Sequence, residues 1–236
     1  GRVQVEHLVR RYAVLTRRST VAAVALTLGI LATPAAGKAP VCNLVRDPAG
    51  DDSVGLGSVD GPPTDTSDTL DILSADLATD RATLTVVIRV AKLSFYDPTA
   101  PTGQRYSFWF LGDESRFLLE AHRTRTGEFF TAQVQGPPTA VNGTDVYPMY
   151  PLGPVRGMFD DDANEVRIHV RIADLQTHAP TLRTGESKLT GLRIRTYRNV
   201  EEAGGSTGKT GLLTDRADGG RTGYRQDAAS CVRVGR

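Results

Sequence analysis

The sequence predicts an all-β fold: a two-sheet antiparallel β-sandwich preceded by a signal-peptide helix. Three observations predict it. Runs in which apolar and polar residues alternate, rich in Val, Ile and Thr, recur between Leu70 and Tyr197, which is the period of a half-buried strand. The 24 Gly and 13 Pro outweigh the few aromatics and favour many short strands joined by turns. No amphipathic helix of ordinary length and no repeat of 20–50 residues breaks this pattern.

The first segment stands apart from it. Arg10, Arg11, Arg17 and Arg18 precede an apolar run over residues 21–32, and Thr33-Pro34-Ala35-Ala36 supplies small residues for cleavage. Residues 1–36 therefore read as a secretory signal peptide, cut after Ala35 or Ala36, whose apolar run is short for a membrane span. A twin-arginine route at Arg17-Arg18 lacks the usual hydrophobic pair, with Thr20 and Val21 in its place. Val41 stands before Cys42 where a lipid anchor needs a small residue. Residues 37–236 are expected to form a single β-sandwich domain, secreted, with no membrane attachment after cleavage.

Removing the signal changes the charge. It takes five Arg and one Glu, so the chain's 28 basic and 27 acidic residues become 23 and 26, a net of −3. A mildly acidic secreted domain is a poor partner for nucleic acid. Cys42 and Cys231 are the two cysteines of the chain, one near each end of the expected domain. In an oxidising compartment they most simply form one disulfide, with two free thiols or a metal site as the alternatives.

Taken in order, the domain opens with an acidic loop. Asp47, Asp51, Asp52, Asp60, Asp65, Asp68 and Asp71 fall within one stretch, and carboxylates so close repel one another unless solvated or neutralised. Ca²⁺ takes 6–8 oxygen ligands and accepts mixed carboxylate and carbonyl sets. Asp47-Pro48-Ala49-Gly50-Asp51 would set two carboxylates around a tight turn, with Gly50 free to take positive φ. Asp47 and Asp51 are thus candidate Ca²⁺ ligands and Asp71 a third; a solvated polar loop is the competing reading.

A hairpin follows. Leu70, Ile72 and Ser74 alternate with Asp71, Leu73 and Ala75; Thr79-Asp80-Arg81-Ala82 turns; Leu84, Val86, Ile88 and Val90 then alternate with Thr85, Val87, Arg89 and Ala91. After a loop over residues 97–103, Tyr106–Leu111 is apolar on both faces, as a central strand requires. Trp109 in it serves either as core or as a sugar platform. Phe117–His122 and Glu128–Gln135 return the chain twice more, and a less regular stretch with Asn142-Gly143 follows. Val155–Phe159 leads through the turn Asp160–Asn164 to Val166, Ile168, Val170 and Ile172, alternating with Arg167, His169 and Arg171. Leu192, Ile194 and Thr196 alternate with Arg193, Arg195 and Tyr197. If these last two strands share a sheet, Arg167, His169, Arg171, Arg193 and Arg195 make a basic strip. Such a strip binds acidic glycans or is a solvated face paired with nearby acids. Trp109, Arg167, His169 and Arg193 are the candidate ligand-binding residues. From Val200 the chain is Gly-rich, returning to order near Tyr224.

DPAGD at residues 47–51, LDILSADLATDRATLTVVIRV at 70–90, Tyr106-x-Phe108-Trp109-Phe110, and GMFDDDANEVRIHVRIADL at 157–175 together resemble exported bacterial β-sandwich modules of the carbohydrate-binding-module-9 and DOMON type. The resemblance covers most of residues 42–198 and rests on strand patterning plus an acidic loop. It implies a non-catalytic module with ligand-binding or stabilising roles, often with calcium, and no particular ligand; an extracellular polysaccharide or a secreted protein is the partner expected.

Sharper motifs fail their context. Residues 203–210, AGGSTGKT, approach a phosphate loop, but Gly211–Asp215 and Gly219-Gly220 follow where a helix is required, so no nucleotide partner is expected. Gly204-x-Ser206-x-Gly208 has the shape of a nucleophile elbow, yet no His follows His178. Asp160-x-Asp162-x-Asn164 begins like an EF-hand loop but has Glu165 at its sixth position and Arg171 at its twelfth. His122, His169, Met149 and Met158 lack the spacing of haem ligands, and no His/Cys cluster suits zinc. No acid–base or nucleophile set survives, and no enzymatic activity is expected.

Overall fold

Strand patterning closes the chain into two antiparallel sheets that share one apolar interior. The structure, a computed structural model, describes residues 40, 42–52, 66–182, 187–198, 200, 212–219, 223–226 and 228–235. The segment read as a signal peptide lies outside them, as do Asp60, Asp65 and the glycine-rich motifs at residues 203–210. In chain order the first strands are β1 (Val45–Arg46), β2 (Ile72–Thr79), β3 (Thr83–Val90), β4 (Gly103–Gly112), β5 (Ser115–Thr124), β6 (Gly127–Gln135), β7 (Thr139–Val141) and β8 (Thr144–Val146). They are followed by β9 (Met149–Pro151), β10 (Arg156–Asp160), β11 (Glu165–Arg171), helix α1 (Ile172–Gln176), β12 (Lys188–Arg198), β13 (Leu212–Asp218) and β14 (Tyr224–Arg225). One sheet has five strands in the order β1-β2-β3-β11-β10; the other has seven, β13-β12-β4-β5-β6-β9 with β14 also paired to β12. β7 and β8 form a separate hairpin through Asn142-Gly143, both at positive φ. Among the described residues, no helix is long and apolar enough to cross a membrane.

The β2–β3 hairpin forms where the alternation predicts it. The Asp80 carboxylate accepts hydrogen bonds from the Ala82 and Thr83 amides at 2.7 Å, which fixes the turn. Leu84, Val86, Ile88 and Val90 enter the core, while Thr85, Val87 and Arg89 face outward. The predicted alternation of β2 is corrected by a bulge between Ile72 and Ser74. One extra residue shifts the parity, so Ile72, Ala75 and Leu77 point inward and Ser74 stands opposite Arg89. From the other sheet, Tyr106, Phe108 and Phe110 of β4 and Phe117, Leu119 and Ala121 of β5 meet this interior. Phe110 and Phe117 stack at 5.1 Å between centroids. Trp109, between two core phenylalanines, faces outward.

The proposed basic strip does not form. β11 pairs with β3 in one sheet and β12 with β4 in the other. Arg167, His169 and Arg171 therefore lie on the opposite outer face from Arg193 and Arg195. The reason is topological: α1 and the residues after it carry the chain from one sheet to the other between these strands. The EF-hand-like turn is a connection between β10 and β11. Asp160 accepts from the Ala163 amide at 3.0 Å, Asn164 takes positive φ and accepts from the Leu93 amide at 2.8 Å. Asp161 pairs with the buried Arg123 at 2.7 Å.

The ends of the domain are stapled together. Cys42 and Cys231 form a disulfide, with Cα atoms 5.4 Å apart and a sequence separation of 189. The C-terminal tail then crosses the outer face of the five-stranded sheet. Val232 and Val234 pack on Ala78 and Val87, and the Gly235 amide donates to Thr85 Oγ1 at 3.2 Å.

Gly157, on β10, is a close-approach site: a Cβ there would sit on the Phe130 ring and the Arg167 carbonyl oxygen. Gly157→Ala is expected to cost about 1–3 kcal/mol by overpacking. The urea midpoint should fall at unchanged m-value.

Candidate functional site

The acidic loop folds into a carboxylate cluster where the two sheets meet at an open edge. Gly50 takes φ +78°, and its amide donates to Asp71 Oδ2 at 2.8 Å. The Asp47 amide donates to the Leu73 carbonyl at 3.1 Å. These two bonds wrap the DPAGD turn so that Asp47 and Asp51 face β13. There Asp215, on the inward side of the strand, is buried and oriented by amide donors from Ile72 at 2.7 Å and Arg216 at 2.6 Å. One oxygen each from Asp47, Asp51 and Asp215 lies within 4.8 Å of the others. Among the described residues no other three His, Cys, Asp or Glu side chains converge this way. Because Asp47 follows the edge strand β1 and Asp215 sits on the edge strand β13, the cluster bridges the two sheets.

The electrostatics are one-sided. Burial pushes the Asp47 carboxyl up to about 7, with Asp215, Asp51, Asp71 and Asp218 pushing it the same way. Burial likewise lifts Asp215 to about 6; the amides of Ile72 and Arg216 hold it down, and Asp51 and Asp71 add to the rise. The charged groups that act most on Asp47 are other aspartates. Asp47 Oδ2 and Asp71 Oδ1 are buried and accept no hydrogen bond. Such a set of oxygens suits a hard divalent cation, which satisfies lone pairs and repulsion together.

Asp47, Asp51 and the Gly50 turn lie together as the sequence predicts, with Asp215 as the third converging carboxylate and the expected Asp71 beside them. Asp71 steadies the turn through Gly50, and Asp215 completes the trio. Asp215 went unseen because residues after Val200 read as a glycine-rich loop. The only signal was the brief apolar start Leu212-Leu213 ahead of Ala217.

The candidate ligand-binding residues divide between the two outer faces. On the seven-stranded sheet Trp109 lies opposite Arg193 in register, and together with Arg116, Gly191 and Arg195 they line an open depression of about 180 Å³. Trp109 Nε1 and Arg195 Nε are buried there without an acceptor. Farther along this face Arg105 lies over the Tyr197 ring at 3.9 Å and His122 stacks on Phe129 at 4.4 Å. On the five-stranded sheet a depression of about 430 Å³ opens beside His169, Arg156 and Arg171. Two of its polar groups are engaged: His169 Nδ1 bonds to Thr85 Oγ1 at 3.0 Å and Arg171 grips Asp174 at 2.6 and 2.8 Å; nearby, Arg167 pairs with Glu165. His122 and Met149 belong to one sheet and His169 and Met158 to the other.

Known protein families, curated proteins and solved structures provide no match to this chain.

Proposed function

We propose that the protein is a secreted, non-catalytic β-sandwich module that binds an extracellular polymer, with Ca²⁺ joining the edges of its two sheets. The observation that carries this reading is the carboxylate trio Asp47, Asp51 and Asp215, in which Asp47 is crowded by further aspartates. Ca²⁺ is favoured over Mg²⁺ because the DPAGD turn offers irregular backbone oxygens, and Ca²⁺ tolerates irregular sets of oxygen ligands. The likeness of the strand pattern to carbohydrate-binding-module-9 and DOMON-type sandwiches supports a binding role.

The test is thermal unfolding of the oxidised protein in millimolar calcium and then in excess EGTA. Binding to the folded state alone adds about 2.7 kcal/mol at a hundredfold excess over Kd, a rise of about 5–10 °C in Tm for a domain of this size. An unchanged Tm would remove the cation from this reading. An accessory domain that docks on another secreted protein is a second reading, favoured by Phe95 and Tyr96, which stand side by side and exposed. Co-purification of a stoichiometric partner from culture medium would select it.

A further inference from the structure

We infer that the depression beside Trp109 binds a uronate unit of an acidic polysaccharide; this rests on the reading of the chain as a module that binds extracellular polymer. The location follows from what covers each face. The tail covers the five-stranded sheet's outer surface around Ala78, Thr85 and Val87. The seven-stranded sheet carries Trp109 outward, half-buried, with its indole N–H lacking an acceptor. Around it the unengaged groups are all donors. Arg195 has Arg216 opposite it in the ladder and an Nε without a partner, and Arg116 has no ion pair among the described residues. Arg193 alone has an acid, Asp218 at 2.6 Å, and both side chains are about half exposed. A site with spare donors and positive charge selects a ligand rich in acceptors and negatively charged.

Shape narrows the class. The floor is Gly191, at φ +59°, where β12 bulges between Thr190 and Arg193 and leaves a position without a side chain. About 180 Å³ is below the roughly 300–1,000 Å³ of drug-sized pockets and suits a single ring. The indole offers an apolar face to the C–H side of such a ring, and the guanidinium groups take its carboxylate. The depression is open, and the row Arg105, Tyr197, His122 and Phe129 continues along the same sheet, so a chain of sugars can run on from it.

Trp109 is the chain's single tryptophan, so its emission reports this site alone. The experiment titrates the oxidised protein with trigalacturonate, its methyl ester, dextran sulfate and laminarin oligomers, reading tryptophan fluorescence. Trigalacturonate should shift the emission, and its methyl ester should bind at least about tenfold more weakly. Arg195→Gln and Arg116→Gln should each weaken trigalacturonate about tenfold or more. Retention of the calcium-dependent Tm shift shows that these variants are folded. Equal binding of the methyl ester, equal binding of dextran sulfate, indifference to both substitutions, or a silent Trp109 at millimolar trigalacturonate would each overturn the uronate assignment. Binding of laminarin in its place would overturn it too, while leaving the module reading intact. A protein with no calcium response and no glycan bound would sink both.

Discussion

Replacing Cys42 and Cys231 together by serine is expected to lower Tm by about 10–20 °C. The bridge joins residues 189 positions apart, and the loop-closure entropy it removes from the unfolded chain corresponds to about 5 kcal/mol. The local structure explains why other contacts would not make up the loss. β1 is two residues long: Val45 and Arg46 pair with β2, and the flanking Leu44 and Asp47 amides add one bond each, to Asp76 and Leu73. On the other side, the tail rests on Ala78 and Val87 through Val232 and Val234. Both ends are thus weakly held without the covalent link, and release of β1 carries Asp47 away from Asp215. Calorimetry of the double variant should therefore show the lowered Tm and a smaller calcium response. A drop of under about 2 °C would mean that the ends stay docked without the bridge and that the closure entropy is offset elsewhere.

The second large effect links the carboxylate cluster to pH. In the folded protein Asp47 titrates at about 7 and Asp215 at about 6, against 3.8 for an ordinary aspartate. Between those values the folded state binds more protons than the unfolded state, so stability falls as pH rises. In EGTA, Tm should therefore decline from pH 5 to pH 7 and level off near pH 8. Calcium should reverse the trend, because it needs the ionised carboxylates: its affinity should weaken by at least about tenfold per pH unit below pH 6. Asp215→Asn separates the two contributions. It removes a repelled charge but leaves one oxygen where Asp215 presents two, Oδ2 to the Ile72 amide and Oδ1 to the Arg216 amide, so in EGTA the fall of its Tm between pH 5 and pH 8 should be smaller than that of the wild type. Its response to calcium should vanish. A Tm in EGTA that rises between pH 5 and pH 7, or an Asp215→Asn variant that still gains several degrees from calcium, would refute this account.

How far the sequence could be read depended on how local each signal was. The β2–β3 hairpin was legible because Asp80 supplies a turn and Leu84, Val86, Ile88 and Val90 keep strict alternation. β4 was legible as a short run apolar on both faces, β5 and β6 as the strands that return from it, and the Gly50 turn from its DPAGD motif. Sheet membership was not. β11 and β12 both alternate arginine with aliphatic residues, and the partner each finds, β3 or β4, lies outside either strand's own pattern. The bulges after Ile72 and after Thr190 also hide in sequence, since each reverses which parity faces inward. At the candidate site, half the information was local and half was distant. Asp47, Gly50 and Asp51 sit in one motif, but Asp215 is a carboxylate at an inward position of a weakly apolar strand, where a core residue would be the usual expectation.

The wide pairing of β3 with β11 and β4 with β12 sets an order of assembly. A chain made from its N-terminus has the β2–β3 hairpin and the β4–β6 meander available early, yet one edge of each stays open until residues 165–198 arrive. Open edges are templates for pairing with other chains, so the interval before β11 and β12 dock is the period of greatest exposure to misassembly. Closure is later still. Asp215 must come before the carboxylate trio can form, Tyr224 before its hydroxyl can accept from the Thr79 amide and donate to Ala228, and Cys231 before Cys42 has a partner. The strand that opens the sandwich is paired early with β2 but is locked in place by residues from the far end of the chain.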